Sequence, residues 1–106
     1  MSLVTSACLY VDFAPKHIHE HLLEPLPFDE RGQSFKAVPD DLPGGTKGMH
    51  ASVYVAGFNF VMPSDLVKHV KFVLGPDRDA VLILDMEDGP EVYVFGPEVA
   101  VGEVPA

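Results

Sequence analysis

Ala80-Val81-Leu82-Ile83-Leu84 is an unbroken apolar run of strand length, closed on both sides by aspartate (Asp79, Asp85). Side chains of a strand alternate between two faces, so a run with no polar break is expected to be a central strand buried on both of them. Glu87-Asp88-Gly89-Pro90 then turns the chain, Asp-Gly being a favoured tight hairpin signal. Glu91-Val92-Tyr93-Val94-Phe95 returns as the antiparallel partner. The chain is thus built around a sheet.

The remaining elements fall around that hairpin. Residues 3–13 read as a strand with Leu3, Thr5, Ala7, Leu9, Val11 and Phe13 on the oilier face, turned to the core. Pro15 suits a helix's first turn, where its missing N–H costs nothing, and Pro25 stops that helix. At about 100° per residue, Ile18, Leu22 and Leu23 share one side with His19, while His17, Glu20, His21 and Glu24 line the other. Residues 25–46 form a long Pro/Gly-rich loop, with a short edge strand expected within 34–38. Residues 49–62 are β-rich and apolar on both sides. The run exceeds the usual strand length, so Gly57 is expected to be a bulge, a bend or a hairpin turn. A second helix follows, with Ser64 as its expected N-cap and Gly75-Pro76 as its stop. Leu66, Val67, Val70, Val73 and Leu74 form its buried face and leave Phe72 on the polar side. Val99–Val101 can add at most a short edge segment. The expected fold is α+β: a mainly antiparallel sheet of four to five strands with both helices on one face, in the order β-α-loop-β(β)-α-β-β.

The 106 residues, 47% of them apolar, suit one domain spanning 1–106 with a core large enough to fold without staples. The only cysteine, Cys8, rules out an intramolecular disulfide. The first eleven residues lack a basic n-region and meet Asp12 too early for a membrane span, so a cytoplasmic protein with no membrane partner is expected. Net charge is −9, and no lysine or arginine follows Arg78. A segment this acidic repels phosphates, which argues against nucleic acid on that face and for a partner protein with a basic surface. Plain solubility accounts for the charge equally well.

No motif for chemistry is complete. His17 and His21 are i,i+4 on the first helix and share a face with Glu24, so these three are the candidate metal ligands; a solvated polar helix face is the alternative. His17-x-His19-x4-Glu24 also resembles the first half of a cupin metal motif over eight residues. It lacks the upstream glycine, and Pro43-x-Gly45-x4-His50 has the wrong gap for the second half, so the cupin reading is rejected. Pro43-Gly44-Gly45-Thr46-Lys47-Gly48 holds phosphate-loop residue types without the GxxxxGK[ST] order. Asp85-Met86-Glu87-Asp88-Gly89 fails the calcium-loop pattern, since position twelve would be Gly96. Cys8 sits mid-strand, where a small buried hydrophobe is the norm. No cofactor is expected.

These features favour a non-enzymatic binding module that sits on a basic surface of a partner, as immunity proteins and phage-borne inhibitors of host defence do. Asp85, Glu87, Asp88 and Glu91 would steer the encounter, and Phe28, Phe35 and Phe72 would anchor it. Two alternatives use other residues. One is a structural subunit of a virion or other homo-oligomer, with the two-faced strand at 49–62 as interface. The other is a metal-dependent enzyme built on the histidine cluster.

Overall fold

Strand β1 (Val4–Val11) alternates exposed and buried residues along its length, and its buried set, Thr5, Ala7, Leu9 and Val11, faces two helices. In this computed structural model, residues 4–39, 51–76, 78–87 and 89–96 are described. Helix α1 (Lys16–Leu23) buries Ile18 and Leu22, while α2 (Pro63–Leu74) buries Leu66, Val70 and Leu74, one residue per turn along one stripe. The strands β2 (Lys36–Ala37), β3 (Ser52–Asn59), β4 (Ala80–Met86) and β5 (Gly89–Phe95) complete a five-stranded sheet in the order β2-β3-β1-β4-β5. Every pairing is antiparallel. The fold is α+β, as the hydrophobic patterning indicates.

The core lies between the sheet and the helices. Leu9, Tyr54, Phe58, Leu82 and Leu84 from the strands meet Ile18, Leu22, Leu66 and Val70 from the helices, with Leu26 and Phe35 closing one side. The opposite face of the sheet has no covering layer among the described residues. Ile83 and Val92 remain exposed and Val81 and Val94 half-buried, so β4 is central in the sheet but buried on one face only.

Several local expectations are corrected. Gly57 is neither a bulge nor a turn: β3 runs through it in regular register, opposite Ser6. The chain leaves the strand at Phe60 instead, whose φ of 56° is left-handed. Met62, not Ser64, precedes α2 as its N-cap residue, because Pro63 occupies the first turn. Phe13 is 58% exposed: β1 ends at Val11, and alternation beyond a strand's end no longer predicts a face. The segment 40–46, the glycines at 44, 45 and 48, and Val99–Val101 lie outside the described residues.

Candidate partner-binding site

The loop after α1 is pinned by one side chain. Gln33 accepts the Asn59 backbone N–H through Oε1 at 2.7 Å and donates through Nε2 to the Asn59 carbonyl at 3.0 Å. Its amide thereby takes the place of a paired residue on the edge of β3, beyond the reach of β2, whose own residues pair with Tyr54 and Val55. Asp29 holds Gln33 in turn, accepting from its side chain at 3.1 Å and from Arg31 at 3.3 Å. Burial raises the Asp29 pKa, but the hydrogen bonds from Gln33 and Arg31 outweigh it and hold the carboxyl below its ordinary value. A backbone bond from Leu26 N–H to the Gln33 carbonyl closes the loop.

This clasp sets Phe28 against the start of α2. Phe28, Phe60 and Met62, with Asp29, Glu30, Arg31 and Asp65, line a cleft of about 240 Å³. Across Phe28, a second, shallower hollow of about 300 Å³ is lined by Pro27, Asp65, Lys68, His69 and Phe72. Phe28 and Asp65 belong to both, so the two form one groove. Four large apolar side chains stand exposed along it: Phe28, Phe60, Met62 and, at 85%, Phe72. The Arg31 guanidinium lies over the Phe60 ring, 5.2 Å from its centre, and stiffens one rim. His69 meets Phe28 edge-on at 6.0 Å, and its Nε2 is buried with no hydrogen-bond partner. Burial, with a smaller contribution from His21, lowers the His69 pKa and favours the neutral ring.

The acidic hairpin lies at the same end of the sheet. Val4 is level with Asn59 on one side, and the β1–β4 register, extended two residues past Ser6–Asp85, sets it level with Glu87 on the other. Two strand spacings, about 10 Å, therefore separate the base of the groove from the hairpin tip. Asp85, Glu87 and Glu91 gather at this corner, although Asp85 and Glu91 point to opposite faces of the sheet. Tyr93 donates to Glu91 at 2.6 Å; that bond, ahead of burial and the carboxylate's charge, raises the Tyr93 pKa. Asp88 lies outside the described residues. Asp79 stands at the other end of the sheet, where its carbonyl accepts the Asp12 N–H at 3.0 Å.

The expected anchors therefore divide. Phe28 and Phe72 are brought together in the groove. Phe35 is not a contact residue: it is fully buried and packs edge-on against Phe58 at 5.2 Å. Phe60 and Met62 were not anticipated; alternation set Phe60 beside Phe58, and nothing in its residue type marks it for a positive φ. On α1, His21 is hydrogen-bonded to Glu24 at 2.9 Å, and His17 projects from an exposed position one turn away. Among the described residues, no three His, Cys, Asp or Glu side chains converge as a metal-holding group. His19, on the inner side, shares a 2.7 Å hydrogen bond with the Tyr54 hydroxyl and so serves the core.

Protein-family models, curated proteins and solved structures were each compared with the chain, and none matches. No helix among the described residues is long and apolar enough to cross a membrane.

Proposed function

We propose that the chain is a non-enzymatic protein-binding domain that occludes a basic surface of its partner, in the manner of an immunity protein or a phage-borne anti-defence inhibitor. The observation that carries the reading is that the aromatic groove begins, at Phe60 and Met62, at the end of the sheet that holds the acidic corner, and runs from there along α2 to Phe72. Aromatic side chains in a groove supply buried contact area at low conformational cost, and neighbouring carboxylates steer a cationic surface towards them. Phe28, Phe60, Met62 and Phe72 are the anchors; Asp85, Glu87, Asp88 and Glu91 are the steering charges.

The test has two arms on the full-length chain, using a partner captured from the native host and then purified. Replacing Glu87 and Asp88 by lysine should slow association and flatten its salt dependence, leaving dissociation nearly unchanged. Replacing Phe28 and Phe72 by alanine should speed dissociation by a factor of roughly 30 or more, as expected for truncated interface anchors. Association and dissociation rates indifferent to both pairs would refute the proposal.

A further inference from the structure

The sheet face turned away from the helices is organised as cross-strand rows. Val38, Val53, Tyr10, Val81 and Val94 stand level across five neighbouring chain segments. One step along, Lys36, Val55, Cys8, Ile83 and Val92 form the next row. Gly57, Ser6, Asp85 and Pro90 form a third. Of these, Tyr10, Val55, Ile83 and Val92 are exposed, with Val4 beyond them. No described residue packs over the rows. The same valines and Ile83 make 49–62 and 80–84 read as strands apolar on both sides, a pattern that matches a sheet covered on both faces.

We infer that this face is the interface of a homodimer in which two copies stack sheet against sheet. Charge selects a second copy over a basic partner. The chain carries −9 overall, yet within the three rows stand only Lys36 and Asp85, opposite in sign, with Asp12 and Asp79 at one end of the face and Glu87 at the other. Inside the rows a cationic surface finds one carboxylate to pair with, whereas the apolar side chains there complement those of a second copy. Area agrees. Four strands of about seven residues and the three positions 36–38, at about 4.8 Å by about 3.4 Å each, cover roughly 500 Å² per copy. Two copies bury roughly 1,000 Å², which reaches the area that a specific interface requires. A two-fold axis along β1 lays β4 of each copy over β3 of the other, so Ile83 and Val81 meet Val55 and Val53 while the two Cys8 side chains face each other. Sheets packed this way stand about 10 Å apart, too far for a direct disulfide but within reach of a short bismaleimide. The surface is separate from the aromatic groove and does not depend on its role.

Sedimentation velocity and bismaleimide cross-linking of the full-length chain test this. The wild type should sediment at twice 11.5 kDa and cross-link through Cys8. Ile83→Lys should raise the dimer dissociation constant roughly 100-fold or more, because the buried charge enters a symmetric interface twice. Val55→Thr keeps a β-branched side chain, guards against misfolding and should raise the constant about tenfold; circular dichroism checks that both variants keep their secondary structure. A wild type that stays monomeric at hundreds of micromolar overturns the inference, whether Cys8 then reacts freely or is shielded by the chain's own remaining residues. An oligomer that neither substitution weakens overturns it too.

Discussion

Phe35→Ala separates the structure's account of the loop from the one the sequence suggests. As a surface anchor, Phe35 could be truncated at little cost to stability. In the structure it is fully buried against Phe58, at the point where the loop joins the core. Truncation removes roughly 130 Å² of buried apolar surface, about 3 kcal/mol at about 25 cal/mol per Å². The lost edge-on aromatic pair adds about 0.5–1.5 kcal/mol. The expected loss is therefore about 4 kcal/mol, within the usual range for a cavity left by truncating a buried phenylalanine. Unfolding entropy of about 2.1 cal/mol/K per residue, taken over 106 residues, converts this to a fall in Tm of about 18 °C. The assay is urea unfolding and thermal melting followed by circular dichroism, with Phe72→Ala as control. Phe72 is 85% exposed, and its truncation should stay within about 0.5 kcal/mol of wild type. A Phe35→Ala loss below about 1 kcal/mol would refute the packing of Phe35 against Phe58.

Three further outcomes follow from local geometry. Gly96 has φ of 137°, and a Cβ there runs into the Asp79 carboxylate, so Gly96→Ala should cost about 1–3 kcal/mol in urea unfolding; Gly32→Ala, with φ of 73° and open space around it, should cost less. Gln33→Ala frees the Asn59 N–H, and hydrogen exchange at that amide should quicken while amides in the middle of β1 keep their protection. His69 has a folded-state pKa below its ordinary 6.5, so the unfolded chain takes up the proton first. Its contribution is fully present above pH 6.5 and is lost as pH falls from there through the folded value, a decline that His69→Leu should remove when stability is measured across that window.

How much was legible depended on whether a residue's fate is decided locally. The buried set of β1 and the stripe Leu66, Val70, Leu74 follow from strand and helix periods alone, and both were readable. Phe35 was not, because its partner Phe58 is far along the chain and the loop around it has no period to reveal an inward face. Phe60 defeated alternation for a related reason: the chain must leave β3 for α2, and the backbone reversal falls on a residue type that rarely takes it. Gly57, the residue best suited to such a break, lies in unbroken pairing on the open face. The groove was half legible. Helical phase exposed Phe72, but only the Gln33–Asn59 clasp brings Phe28 beside it. The Asp-Gly turn marks the acidic corner as a hairpin, yet the opposed directions of Asp85 and Glu91 follow from register.

The two proposed contacts make opposite demands on ionic strength, and this allows them to be separated in one titration. Stacking two copies of a chain with net charge −9 brings like charges together around a neutral apolar interface. Salt screens that repulsion, with a Debye length of about 10 Å at 0.1 M, so the dimer should tighten as salt rises. The acidic corner attracts a cationic partner, and the same screening weakens that attraction, chiefly through slower association. The apolar parts of the two surfaces also lie apart: the dimer uses the face turned from the helices, while the groove is built by α2 and the loop after α1, and Asp85 stands at the border of both. Dimerisation therefore leaves both grooves open and gives the assembly two equivalent docking sites. Raising salt should drive the chain towards the dimer while stripping it of partner. If self-association and partner binding instead rise or fall together, one surface serves both, and the division drawn between the apolar face and the acidic corner is wrong.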